Sequence, residues 1–167
     1  MTQMEKSSSH GENASIRVAR SDDVPALVGL INAAFVVEQF VFDGDRVDAQ
    51  ETQAFMNTGR FLVAEDAHGF VGCVYVEVRK DRGYLGLLAV DPSRQGTGLG
   101  RKLVVAAEDY LRAAECCAVD LRVISQRTPL PSFYRRLGYE EMGTAPFSSS
   151  LEAKVPGHYI LMSKSLV

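Results

Sequence analysis

Hydrophobic and polar positions change period several times along the chain, and each change marks an element. Ile16 and Val18 alternate with Arg17 and Ala19, the period of a short strand. From Leu27 through Leu30, Ile31 and Ala34 to Phe35 the spacing becomes helical. Ser21, Asp22, Asp23 and Pro25 ahead of it make a helix start, a capping hydroxyl followed by carboxylates facing the helix dipole. A second, short helix is expected over Val47–Met56, within an acidic, less regular stretch carrying Glu38, Asp43, Asp45, Asp48 and Glu51. Three strand-like runs follow: Arg60–Asp66, Phe70–Arg79 and Tyr84–Val90. Between them Ala67-His68-Gly69 and Lys80-Asp81-Arg82-Gly83 hold the Gly and Asp of hairpin turns, so the runs predict an antiparallel meander. Symmetry about Asp81–Arg82 would set Glu77 opposite Gly86. The third run is apolar at successive positions, as in a central strand, and Gly86 within it points to a bulge or a close backbone approach.

The second half repeats the alternation of elements. Leu103, Val104, Ala107, Tyr110, Leu111 and Ala114 trace one face of a helix running from about Gly98 to Ala114. A buried strand at Ala118–Ile124 comes next, then a short helix opened by Thr128-Pro129, running through Leu137 and ended by Gly138. Tyr139–Thr144 reads as a strand with little alternation. A Pro- and Ser-containing loop leads to the final strand at His158–Met162. The order is β-α-(α)-β-β-β-α-β-α-β-β, a single mixed α/β domain over residues 15–167. Residues 1–14, rich in Ser, Gly, Asn and charge, read as a solvated tail without the apolar segment of a signal peptide.

Composition narrows the function classes. At 167 residues, 46% hydrophobic and 23% charged, the chain has the make-up of one soluble globular domain, which excludes global disorder. Its three cysteines, two of them adjacent (Cys116 and Cys117), offer neither a disulfide framework nor a zinc spacing, so a reducing, cytoplasmic setting without a metal is expected. A net charge of −3 lacks the basic excess of a broad nucleic-acid footprint, and no apolar run is long enough to span a bilayer. Any anion must be held by a local site.

Such a site stands in Leu87–Val104, where a buried strand enters a glycine-rich turn that opens a helix. Unpaired backbone N–H groups and the helix dipole there suit a pyrophosphate; Gly96, Gly98 and Gly100 clear the approach, and Arg94, Arg101 and Lys102 add local positive charge. A P-loop is excluded because Gly100 is followed by Arg101 and Lys102 with no Ser or Thr next. A dinucleotide fingerprint fails on spacing, on the preceding meander, and on Asp120 lying near the start of the next strand rather than its end.

Gln95-Gly96-Thr97-Gly98-Leu99-Gly100 instead resembles the Q/R-x-x-G-x-G/A motif of the GNAT superfamily of acyl-CoA-dependent N-acyltransferases. The preceding LLAVDP strand, the following amphipathic helix and the later segment Pro131–Glu140, PSFYRRLGYE, extend the match across essentially the whole chain after the tail. The resemblance implies a single-domain, mostly antiparallel mixed sheet flanked by helices, with central strands that splay apart. It implies acetyl-CoA as cosubstrate, with Leu88, Ala89 and Val90 pairing with the pantetheine arm and a backbone N–H polarising the thioester carbonyl. Gln95, Gly96, Thr97, Gly98, Leu99, Gly100 and Arg101 would hold the pyrophosphate. Tyr134 matches the general acid toward the departing thiolate.

For the general base three candidates stay open: Glu77, Glu38 at the start of the acidic loop, and His158, whose reference pKa suits the task. Arg127 stands where many relatives have asparagine, seven residues before the tyrosine, and could reach a phosphate or an acidic acceptor. The implied function is acetyl transfer from acetyl-CoA to a primary amine of a small molecule, by direct attack in a ternary complex. The alternatives are a protein acceptor (a lysine or an N-terminal amine) and a CoA-binding module without turnover. The acidic stretch Glu38–Glu51 would suit a cationic amine, and superfamily members are often homodimers.

Overall fold

The computed structural model describes residues 14–148 and 152–167, so the expected tail lies outside the described residues except for Ala14, which packs on the core. Among the described residues seven strands and four α-helices follow in the expected order. The strands are β1 (Ser15–Val18), β2 (Arg60–Asp66), β3 (Gly69–Arg79), β4 (Arg82–Val90), β5 (Ala118–Ile124), β6 (Glu140–Pro146) and β7 (His158–Ser165). The helices are α1 (Val24–Phe35), α2 (Ala49–Thr58), α3 (Leu99–Ala113) and α4 (Pro129–Arg136). None of them is long and apolar enough to cross a membrane.

Local chemistry explains where the boundaries moved. Ser21 does not cap the first helix. The Asp23 carboxylate accepts the Arg20 N–H at 2.7 Å and binds Arg17 at 2.8 Å, which holds its pKa down at about 2. The second helix starts at Ala49 rather than Val47, because Asp48 caps it by accepting the Glu51 N–H at 2.7 Å. Val47 is instead buried, its backbone pinned from both sides by the Asn32 amide. Thr128 occupies the cap position of α4, but its hydroxyl makes no capping bond.

The strands form one sheet in the order β1-β2-β3-β4-β5-β7-β6, parallel only between β4 and β5. One core lies between the sheet and α3 with α4, a second beneath α1 and α2, and a smaller third gathers Val41, Ile124 and Tyr159. β6 is exposed on both faces along almost its whole length, which explains its lack of alternation in the sequence. All three cysteine thiols are unbridged.

Two register features set up the site. The β3–β4 turn is Lys80-Asp81, with Lys80 at φ 59° and Arg79 facing Arg82, tighter than the expected four-residue turn. Glu77 therefore faces Tyr84, and Gly86 faces Tyr75, which corrects the expected pairing of Glu77 with Gly86. Further on, Tyr75 pairs with Gly86 but Cys73 with Ala89, so β4 carries one extra residue at a bulge where Leu87 takes φ 48°. The bulge exchanges the faces of the strand. Leu85 joins the α3 core, whereas Leu87 and Ala89 join the α1 core. The bulge announced by Gly86 thus lies one residue beyond it.

Candidate active site

β4 and β5 pair only through Arg82–Ala118, Gly83–Val119 and Tyr84–Asp120. From there β5 stays on β7 to its end at Ile124, while β4 follows β3 across the bulge. The two parallel strands diverge and leave a wedge whose β4 wall has an unpaired edge. Asp91 donates its N–H to Val71 on β3, and strand peptide groups alternate between edges. The N–H groups of Val90 and Leu88 consequently face the wedge, and that of Ala89 faces β3. Of the three strand residues expected to bind an extended arm, Leu88 and Val90 offer backbone groups to the opening, and Ala89 supplies a buried side chain behind them.

At the wide end of the wedge the chain makes its glycine turn. Asp91 fixes the entry by accepting from the Ser93 N–H at 2.8 Å and hydroxyl at 2.7 Å, and the Thr97 hydroxyl donates to the Arg94 carbonyl at 2.6 Å. Gly96 and Gly98 adopt φ of 80° and 83°, and a Cβ at either would meet nothing within 4 Å. These glycines are needed for backbone conformation, and the space above them is open. The first bond of α3 runs from the Lys102 N–H to the Gly98 carbonyl, so the N–H groups of Leu99, Gly100 and Arg101 have no intrahelical partner. The cradle fits a pyrophosphate. Gln95 lies beside it, with its amide 3.4 Å from the Val90 carbonyl. Arg94, counted in the sequence as local positive charge, is bound to Asp66 at 2.6 Å, where the Asp66 side chain is only 4% exposed. It braces the turn onto the β2–β3 hairpin.

α4 closes the wedge from the other side. Its Phe133 approaches Gly100, where an added Cβ would lie 3.6 Å from the Phe133 ring and 3.8 Å from Val90. Turn, wedge and helix thus meet at one place. Tyr134 is buried between the rings of Phe133 and Tyr139, with centroids 5.0 and 5.6 Å away, and no described residue hydrogen-bonds its hydroxyl. Burial, reinforced by Tyr84, pushes its pKa well above the ordinary phenol value against a smaller opposing pull from Arg127. The phenol keeps its proton near neutral pH.

The carboxylate candidates are driven in opposite directions. Glu77 is bound by the Arg79 guanidinium at 3.1 Å and by the Tyr75 hydroxyl at 2.9 Å, and its pKa falls below the usual range, chiefly through Arg79. Tyr75 itself is pushed up to about 12 by burial. Glu38 closes the short turn Val36–Glu38 after α1 and meets Arg127, from the β5–α4 connection, at 3.4 Å. Burial raises its pKa in spite of Arg127 and Arg46. The structure thus joins two residues 89 positions apart that the sequence could only name separately. Of the other acidic residues in that stretch, Asp48 caps α2, Asp43 pairs with Lys154 at 2.8 Å, and Asp45 and Glu51 point to solvent. His158 is exposed at the start of β7, with its backbone N–H on the Ser125 hydroxyl.

One group of residues escaped the sequence reading. Ser132, Arg135 and Arg136 line a shallow concavity of about 430 Å³ on α4. Arg135 bridges the Ser132 hydroxyl at 3.2 Å and Glu141 at 2.6 Å, while Arg136 donates to the Ser132 carbonyl at 3.2 Å. The only signal in the sequence was a pair of arginines directly after the tyrosine.

A splayed parallel strand pair, a glycine turn opening a helix and a buried tyrosine on the next helix are the arrangement of the GNAT fold. The sequence model of the family described as acetyltransferase (GNAT) domain matches residues 57–141, about half the chain, and the chain belongs to this family. Among its relatives is a mycothiol acetyltransferase of Saccharopolyspora erythraea, 33% identical over an alignment of 126 residues that covers 73% of this chain and 42% of that protein. The chain spans about two-fifths of the length of this relative. Solved structures show the same fold at lower identity. The yncA protein of Salmonella typhimurium, determined with its cofactor acetyl-CoA, superposes with a TM-score of 0.74 at 22% identity over 93% of this chain and 95% of its own. The ribosomal-protein-S18-alanine N-acetyltransferase of Escherichia coli gives 0.73 at 18% identity, over 91% and 93%.

Proposed function

We propose that residues 15–167 form an N-acetyltransferase domain that moves the acetyl group of acetyl-CoA to the primary amine of a small molecule, by direct attack in a ternary complex. The observation that carries this reading is the Tyr134 hydroxyl, borne by a buried ring. No described residue hydrogen-bonds it, and its helix packs at the junction of the unpaired β4 edge and the glycine turn.

Bound acetyl-CoA would supply the thioester carbonyl and the thiol leaving group. The N–H groups of Leu88 and Val90 donate to an extended arm that lies along them as an added strand, and one of them polarises a carbonyl lying against the bulge. Gln95, Gly96, Thr97, Gly98, Leu99, Gly100 and Arg101 hold the pyrophosphate, and Arg135 and Arg136 offer charge for a further phosphate. Tyr134 delivers its proton to the departing sulfur. Glu38 is the better placed base, because burial makes its carboxylate a stronger proton acceptor, whereas Arg79 makes Glu77 a weaker one.

A small acceptor is favoured by the roof over this end of the sheet. Phe42 bridges Ala153, the Lys154 N–H reaches the Val41 carbonyl at 2.7 Å, and Glu38 after α1 meets Arg127 ahead of α4. A second reading, a protein acceptor, draws on the exposed Val36, Val37 and Phe40 beside Glu38. Thiol release from acetyl-CoA, measured on a panel of amines, peptides and proteins with mass spectrometry of the products, tests the proposal. Acetylated small amines are expected. Acetylation of proteins alone would favour the second reading, and tight CoA binding without turnover would overturn both.

A further inference from the structure

Most other ion pairs among the described residues are short: Arg82–Asp120 and Arg94–Asp66 at 2.6 Å, Arg17–Asp23 and Lys164–Glu108 at 2.8 Å. Arg127–Glu38 is a single contact at 3.4 Å, although its side chains are only 28% and 13% exposed, against 45% and 43% for Arg82 and Asp120. Charges withdrawn from water need close, multiple contacts to offset their desolvation. This pair lacks them. Arg127 turns one of its five N–H donors to Glu38, and the second Glu38 oxygen has no side-chain donor among the described residues. Glu38 ends the turn that follows α1, and Arg127 stands just ahead of α4, the helix that carries Tyr134.

We infer that Glu38 and Arg127 together recognise an acceptor that carries a carboxylate beside its amine, an α-amino acid or a molecule ending in one. The inference deepens the proposed acetyltransferase reading and rests on it for the identity of the reacting amine. A carboxylate takes the planar guanidinium through two parallel hydrogen bonds, which a single carboxylate oxygen at 3.4 Å does not do. The acceptor's ammonium group then takes the place of Arg127 on Glu38, where its proton can be removed before attack. One long ion pair becomes two short ones, with no net charge added to the cleft. An amine without the carboxylate gains nothing from Arg127 and meets its positive charge instead, so the same residue selects against it.

The test compares free L-amino acids with their carboxamides, using the full chain, acetyl-CoA and thiol release, and in parallel saturation-transfer NMR of the same compounds in the presence of CoA. Acids are expected to exceed their amides at least tenfold in kcat/KM and to show the stronger NMR binding signal. In Arg127→Gln the acid-to-amide ratio should fall below threefold, with Arg127→Lys intermediate and CoA affinity retained in both as a check on folding. Amides matching acids in turnover or binding would overturn the inference, as would an Arg127→Gln variant that keeps the ratio. Carboxylate-dependent binding without turnover would support the recognition site while refuting the acetyltransferase reading. Absence of both turnover and binding across the panel would refute the recognition site as well.

Discussion

Alanine at Gly98 and alanine at Gly100 should separate two roles of the glycine turn. Gly98 has φ 83°, and a Cβ there would meet nothing within 4 Å, so the penalty of Gly98→Ala is purely conformational. Holding an L-residue in the left-handed region costs about 1–2 kcal/mol. For a domain of this size, that lowers Tm by roughly 2–8 °C. Gly100 lies in the first turn of α3, and its Cβ would make ordinary contacts at 3.6 Å with Phe133 and 3.8 Å with Val90. Gly100→Ala should therefore leave the ligand-free protein unchanged or stabilise it by up to about 1 kcal/mol, since alanine restricts the unfolded chain. Gly98→Ala shifts the backbone of the cradle and is expected to weaken CoA binding at least tenfold. Gly100→Ala keeps that backbone, and alanine is a residue the motif itself admits there, so CoA binding should stay within about threefold of the parent. Thermal unfolding without ligand and calorimetric titration with CoA read the two effects separately. A Gly98→Ala protein that binds CoA as the parent does would refute the placement of the pyrophosphate over this turn.

Further outcomes follow from the same geometry. Tyr134→Phe should lower kcat by about 100-fold, the scale of a lost general acid, with CoA affinity within twofold of the parent in calorimetry; unchanged turnover at all pH values would remove the tyrosine from the chemistry. Burial raises the Glu38 pKa, and a base there would act only when ionised, so on the proposed reading kcat/KM should rise with pH along a limb centred above the ordinary carboxylate value of 4.5, and this limb should vanish in Glu38→Gln. A limb that persists in the variant assigns the base elsewhere. Lys164→Met strands the Glu108 carboxylate, whose side chain is 4% exposed, and should destabilise the protein by about 3–5 kcal/mol, a fall of roughly 6–20 °C in Tm. The double variant with Glu108→Leu should recover most of that loss in the same melting experiment.

The glycine turn was legible in the chain because it is built from consecutive residues. Gly96, Gly98 and Gly100 declare their spacing, and the apolar run before them and the amphipathic face after them place the turn between a strand and a helix. Tyr134 was legible for a similar reason, through the local segment around it. The meeting of Glu38 with Arg127 was not, because the two come from separate elements 89 positions apart and only folding sets the turn after α1 against the β5–α4 connection. Glu77 shows the difficulty from the other side. A turn two residues tighter than its composition suggested moved it from Gly86 to Tyr84, and Arg79 then fixed its charge.

By itself the sequence determined the order of the elements, the glycine turn and the family, since periodicity, turn chemistry and a contiguous motif are local properties of the chain. Only the tertiary structure decided three things: that the bulge at Leu87 turns β4 from one core to the other, that Arg94 braces the turn through Asp66, and that Arg127 faces Glu38. A strand's hydrophobic alternation looks the same whichever face each residue meets. A charge acquires its role only from the partner that folding brings to it.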